Sequence, residues 1–392
     1  MATFPLLRWP ALSARARLAL TTVLVVVTAG ALIATSAAFA VTANSPPLDF
    51  GTFGAPGADL LRGQWGSVFD DPIIQAGPFE LAFWGVAELL GVAGPLGWTV
   101  FCVVAVSLFT FAFAFIVERL LRGIAAGWSV PLAAAAALIF AISSAPISAV
   151  ANGHPAQLAI PLLWLGAGML ARADRPFAAG AVLALTAGWE LWGLLGVAVL
   201  LLAPRIDIRA AWRSALGVAA VLALMFAPFA LLGPFRMFGF AWPVYEGSLA
   251  HLLLPESATF PWPLRLAQGA LSIGAGVAVA LLLRRSVDSI WLVPLAACSV
   301  RLLIDPVPAG YYTDAPILLV LVGLALSGAR LSFLLLLACL AAFNVLIDFQ
   351  HLTVIPAIAL VVIVALAVAL AVRAARRRQD SARVLASPAA LP

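Results

Sequence analysis

"PFAAGAVLALTAGWELWGLLGVAVLLLAP", residues 176–204, decides how the chain is threaded. The stretch is apolar almost throughout, yet arginines stand on both sides of it: Arg172 and Arg175 before, Arg205, Arg209 and Arg213 after. A bilayer core about 30 Å thick asks for about 20 apolar residues per helix, so the stretch is too long for one span and too short for two. Because positive residues collect on the inner side of a membrane, both of its ends belong to the same face. The reading is a pair of short helices over 177–203 that meet within the membrane at Gly188-Trp189-Glu190-Leu191-Trp192-Gly193, with Glu190 at the tip. Broken backbone at that depth persists only where it is buried in protein or lines a cavity. Glu190 is therefore a cavity residue by default; a carboxyl hydrogen-bonded to a neighbouring helix is the equal alternative.

The rest of the chain asks for the same solvent. Of 392 residues, 64% are hydrophobic and 10% charged, with a mean hydropathy of +1.11. Apolar runs predict spans at 18–41, 96–117, 128–147, 156–171, 214–232, 264–283, 288–304, 313–327, 331–347 and 354–372. With the 177–203 pair these make an all-α polytopic membrane bundle of about 12 helices with a long first outer loop. Residues 1–372 form one transmembrane domain with outer loops at 42–95 and 233–263, and 373–392 form a basic, disordered cytoplasmic tail. All 22 basic residues are arginine, a bias that points to a bacterial, GC-rich genome. Eighteen of them fall on one face under this threading, which assigns that face and both termini to the cytoplasm. The first span carries Ala38-Phe39-Ala40, but its apolar run is longer than a signal peptide needs and it reads as uncleaved. Cys102, Cys298 and Cys339 lie in apolar runs without paired spacing and read as core. The high pI of about 9.8 reflects orientation in the membrane, not nucleic-acid binding.

All three histidines (His154, His251, His351) and all three tyrosines (Tyr245, Tyr311, Tyr312) fall in the outer loops. Polar residues collect in solvated loops in any case, but the cytoplasmic loops hold little except arginine, so the working face is outward. No GxxxxGK[ST] loop, GxSxG elbow, HxxxH or HExxH is present. Nucleotide use on the cytoplasmic face is therefore excluded from the reading, no metal site is assigned, and a divalent ion on Asp70 and Asp71 stays open. An activated substrate has to arrive within the membrane, as a lipid phosphate does. Such chemistry needs a carboxylate to take a proton, cations to hold phosphate and an apolar groove. Arginine suits the second task because its planar fork pairs with phosphate oxygens. The outer arginines are Arg62, Arg236, Arg265 and Arg301. Arg301, in "CSVRLLIDPVPAGYY", lies about one turn inside the membrane, where an unpaired cation is expensive; pairing with Asp305 at i,i+4 is the bland alternative. Arg236 and Arg265 flank an aromatic, proline-rich loop, and His154 sits in the tight turn "ANGHPAQ". Each is a candidate for phosphate, and His154 also for a metal contact, with an interfacial anchor or a plain turn residue as the structural alternative. Asp49 follows the first span closely behind Pro46-Pro47, which stiffen the chain and hold the carboxylate near the membrane surface. Residues Pro78 to Leu90 read as an interfacial helix because Glu80 and Glu88 argue against a buried one.

The order of these pieces is similar to a known pattern. "PPLDFGTFGAPGADLLRGQWGSVFDDPIIQAGPFELAF" resembles the first outer loop of the GT-C glycosyltransferases that use polyprenyl-phosphate sugars, D-F-x-x-[YF]... A-x-x-L-x-x-G... [YF]-x-[DP]. The nearest likeness is to the polyprenyl-phosphate-mannose-dependent mannosyltransferases of glycosyltransferase family 87. The "NGH" turn, "AGAVLALTAGWELWGLL" and the late R-x-x-x-D-P... YY stretch match in order. Two departures are Phe53 in place of a tyrosine, and Glu190-Leu191 where that family commonly has a lysine. The resemblance implies an inverting transfer of mannose, or another hexose or pentose, from a polyprenyl phosphate to a hydroxyl of a glycolipid or glycan, at the outer face of the cytoplasmic membrane. It implies Asp49 as catalytic base, and the reading of the residues themselves adds Arg301, Arg236, Arg265 and His154 for the donor phosphate. Glu190, Asp59, Tyr311, Tyr312 and Asp305 are the cavity or acceptor candidates. Two readings compete: a transporter or lipid flippase using Glu190 and Arg301, and a GT-C-like scaffold without activity.

Overall fold

The computed structural model describes residues 12–327 apart from 44–46, 93, 126, 144, 247, 253, 256, 257 and 308. The spans predicted at 331–347 and 354–372, the basic tail, Cys339 and His351 lie outside the described residues. Within them the chain is helical, and its only extended pairings are the isolated bridges Ala76 to Glu190 and Pro243 to Thr259.

The helices are α1 (Ala14–Ala43), α2 (Leu48–Leu61), α3 (Pro78–Leu89), α4 (Pro95–Leu121), α5 (Ser129–Ile142), α6 (Ala145–Ala151), α7 (Ala156–Arg172), α8 (Pro176–Leu185), α9 (Ile208–Leu232), α10 (Trp262–Leu283), α11 (Ser289–Leu303) and α12 (Asp314–Ser327). Among the described helices, α1, α4, α9 and α10 are long and apolar enough to cross a membrane, and α5 with α6 forms a fifth candidate bent by 52°. Burial sorts them into layers. The helices α7 and α11 are buried on nearly every face, as expected of a central helix apolar all round. On α1 and α9, large apolar side chains point outward, Leu18 being 69% and Leu224 78% exposed. A face of that kind suits lipid, which makes no demand for polar atoms. Packed contacts run α1 to α4 and α5, α7 to α8, α8 to α9, and α10 to α11. Cys102 and Cys298 are buried free thiols.

The 177–203 stretch is a helix pair with Glu190 in the break, and one premise behind its short length is corrected. The second member, Leu191–Leu202, is a 3-10 helix. At about 2.0 Å per residue its 12 residues cover about 24 Å, against about 18 Å in α geometry, so this member is longer than the residue count alone implied. The segment 42–95 is also not loose: α2 and α3 occupy much of it. Their crossing is set by Gly57 and Gly85, whose backbones touch. A Cβ on Gly57 would stand 2.0 Å from the carbonyl oxygen of Leu81, and one on Gly85 2.3 Å from the carbonyl of Gly57.

The helix expected over Pro78 to Leu90 is α3, but Glu80 does not face water. It is 1% exposed and shares a buried face with Leu81, Trp84 and Ala87, whereas Glu88 is exposed. The spacing 80, 84, 87 is the stripe of a helix, and it carries a carboxyl inward.

Candidate functional site

Four segments far apart in sequence meet at one end of α7. The first is the N-terminal turn of α2, which begins after Pro47 in extended backbone (φ −66°, ψ 162°) and has Asp49 in its first turn. Proline cannot donate a helical hydrogen bond and fits this entry. The second is the α6–α7 turn, where Gly153 adopts φ +93°. That conformation favours glycine, and a Cβ there would also stand 2.7 Å from the Asp49 Cβ and 2.9 Å from its Oδ2. The next residue, His154, donates its Nε2–H to Asp49 Oδ2 at 2.7 Å.

The third segment is the break before the Leu191–Leu202 helix. Its backbone is held by Gly77 N donating to Trp189 O at 2.6 Å and by the Ala76 to Glu190 bridge. This ties the start of α3 to the tip carrying Glu190, so Glu80, one turn into α3, arrives beside it. Glu190 Oε1 lies 3.8 Å from His154 Nδ1, and both oxygens of Glu80 are buried without a hydrogen-bond partner.

The fourth is the turn Gly310–Thr313 before α12. The Tyr311 ring stacks on His154, with centroids 3.9 Å apart and planes 13° from parallel. Tyr312 meets Tyr311 edge-on at 4.8 Å, and the Arg301 guanidinium lies 4.8 Å from the Tyr312 ring centre and 4.5 Å from that of Trp192. The result is a row running Asp49, His154, Tyr311, Tyr312, Arg301, with a carboxylate at one end and a guanidinium at the other.

The cationic end is tied down by its neighbours. Arg301 Nη2 is 3.6 Å from Asp305 Oδ2 and Arg265 Nη1 is 4.0 Å from the same oxygen. The amide of Gln268 donates to the Arg301 carbonyl at 3.0 Å, and Asp305 Oδ1 accepts the Val307 N–H at 3.0 Å. Arg265 also lies 5.2 Å from the Phe260 ring centre. Arg301 is 7% exposed, and its Nη1 has no hydrogen-bond partner. Such a buried unused donor is costly unless something accepts from it.

Electrostatics at the other end follow from burial and crowding. Burial raises the Glu80 carboxyl well above the usual carboxylate range, and the charges of Glu190 and Asp49 push it the same way. Burial by itself lowers the His154 imidazole, yet the carboxylates of Asp49 and Glu190 outweigh it and carry the pKa up to about 9.

Of the residues singled out from the sequence, Asp49, His154, Glu190, Tyr311, Tyr312, Arg301, Asp305 and Arg265 are brought together. Asp59 and Arg236 are not. Asp59 lies ten residues along α2 from Asp49, about 15 Å at helical rise, and faces Arg62 at 3.6 Å near the surface. Arg236 is exposed and 3.7 Å from Asp70. Asp70 and Asp71 do not join the cluster either: both are exposed, and Asp71 accepts the Ile73 N–H. His154 presents its two ring nitrogens to carboxylates, a setting that repels an anionic phosphate. Sequence reasoning missed Glu80, whose inward stripe was readable, and Trp192 and Gln268, which only the tertiary fold places beside Arg301. No protein-family model and no curated protein matches this chain, so the chemistry of the site is argued from its own residues.

Proposed function

We propose that the site transfers a sugar from a polyprenyl phosphate to an acceptor hydroxyl. The observation that carries this reading is the row itself: a carboxylate held by an imidazole at one end and a buried guanidinium with an unused N–H at the other. An acceptor hydroxyl beside Asp49 gives up its proton to the carboxylate as its oxygen bonds to the anomeric carbon. The bond from that carbon to the phosphate oxygen breaks, and the electron pair leaves with the polyprenyl phosphate. Attack opposite the leaving group inverts the anomeric centre. Arg301, assisted by Arg265, receives the developing phosphate charge, which is electrostatic catalysis of the usual kind. His154, which the sequence offered as a phosphate ligand, is reassigned to positioning Asp49. Mannose is the sugar favoured by the sequence resemblance, and an outward-facing site in a bacterial cytoplasmic membrane is part of the same reading.

The test is transfer of labelled mannose from polyprenyl-phosphate mannose in membranes carrying matched amounts of wild-type protein, Asp49→Asn or Glu190→Gln. General base catalysis contributes about 10²- to 10⁴-fold, so Asp49→Asn is expected to lose that factor without losing expression. A transporter would instead depend on Glu190 and give no covalent product. An idle scaffold would transfer nothing from any polyprenyl-linked sugar.

A further inference from the structure

One ring nitrogen of His154 and one oxygen each of Glu80 and Glu190 lie within 4.8 Å of one another, and the nitrogen that faces Glu190 is Nδ1. They come from three elements, α3, the α6–α7 turn and the break before the 3-10 helix. Glu80 is 1% exposed and neither of its oxygens has a partner. Leaving a carboxyl in that state is expensive, and Asp49 adds a third acidic group around one imidazole. The imidazole is shared between Asp49 and Glu190, so the Glu80 oxygens have neither a donor nor a cation of their own.

We propose that Glu80, Glu190 and His154 Nδ1 bind one divalent transition-metal cation, with Asp49 as the outer carboxylate that orients the imidazole. The donor set suits this class: one ring nitrogen and two carboxylates serve zinc or manganese, whereas magnesium prefers an all-oxygen shell. Two carboxylates also neutralise a dication. Ligands about 2.0–2.1 Å from a tetrahedral ion lie about 3.4 Å apart; His154 Nδ1 is 3.8 Å from Glu190 Oε1, and the set as a whole, now within 4.8 Å, closes by about 1.4 Å at most. Asp49 accepts the Nε2–H at 2.7 Å, so Nδ1 is the nitrogen that gives up its proton to an incoming ion while Asp49 keeps the other, the outer-shell arrangement common to metal-bound histidines. The inference goes beyond the transfer reading and stands on these residues whatever reaction the cavity supports.

The probe is Zn²⁺ alone. Full-length protein, stripped with a chelator and dialysed in detergent, is titrated with Zn²⁺ in competition with a fluorescent chelator, and its metal content is measured by mass spectrometry. One Zn²⁺ per chain is expected, uncompeted by Mg²⁺. Glu80→Gln and Glu190→Gln should each lose more affinity than the roughly 10- to 100-fold typical of an outer-shell change, Asp49→Ala should fall within that range, and Asp71→Asn should bind as wild type. Absence of stoichiometric binding by wild type, or unchanged binding by both glutamate variants, overturns the site. If the variants fail to fold, X-ray absorption on the wild-type Zn²⁺ complex decides. One imidazole with oxygen ligands supports the assignment, and sulfur or a second imidazole overturns it. Binding without sugar transfer removes the transfer reading and leaves the site; transfer without binding removes the site alone.

Discussion

Arg301 is held so that its shape matters as well as its charge. Its guanidinium is flanked by Trp192 and Tyr312 and faces Asp305 from one edge, leaving Nη1 unpaired. A lysine keeps the charge but has neither the plane that lies against two rings nor the fork that meets a phosphate. Arg301→Lys is therefore expected to fold and to bind the donor more weakly. A charge-assisted hydrogen bond is worth about 1.5–3 kcal/mol, so KM for the donor should rise about tenfold or more. An unchanged KM in Arg301→Lys would separate Arg301 from the phosphate. Much of this site is legible from single residues: Glu190 and Arg301 because an ionisable group inside a membrane is costly and rarely idle, and Asp49 because it follows the first span closely behind Pro46-Pro47 and matches the D-F pattern. Glu80 is legible only from its helical phase with Trp84 and Ala87, because its charge by itself points to solvent. Asp59 and Arg236 had the right chemistry in the right loops, but nothing local to either residue told where the loop would carry it.

At the scale of elements, the α2–α3 crossing positions the two acidic groups of residues 42–95 that reach the site. Asp49 begins α2, Glu80 begins α3, and the helices cross where Gly57 and Gly85 meet backbone to backbone. Adding one methyl at Gly57 puts a Cβ 2.0 Å from a carbonyl oxygen, so the helices must separate. Overpacking of this kind costs about 1–3 kcal/mol. Gly57→Ala is expected to lower the thermal midpoint of the detergent-solubilised protein and to cut transfer, since a shift of 1 Å at the reacting groups can cost about 10²-fold. A variant with wild-type midpoint and rate would show that the crossing is not what holds the site. The helix pair of 177–203 was legible because charge on both flanks and a run of intermediate length leave few threadings. That its second member is a 3-10 helix was not, since apolar periodicity carries no information about rise per residue.

For the whole molecule, α7 separates two chemically different ends. His154 precedes its first turn and Arg172 ends it, and the 17 residues of the helix span about 25 Å at helical rise. At the Arg172 end, the arginine donates to Ser286 O and to the Ser289 hydroxyl, and Arg205 lies near Asp174. Loops that charge alone assigned to one face thus meet in space, and the loops carrying Asp49, His154 and Tyr311 meet at the other end. We predict that these ends face opposite sides of a membrane. In a protein with its cysteines replaced, Asn152→Cys should react with an impermeant maleimide on intact cells and Ala173→Cys only after permeabilisation. Labelling of both from the same side would reverse the threading.

In the proposed reaction Asp49, held by His154, is the base for a transfer whose leaving phosphate rests at the Arg301 end. The most direct measurement is steady-state transfer from polyprenyl-phosphate mannose, with kcat and donor KM determined separately for wild type and Asp49→Asn. A kcat lowered about 10²- to 10⁴-fold with an unchanged donor KM is the predicted result. Equal kcat in the two proteins, or no transfer by wild type from any polyprenyl-linked sugar, would contradict it.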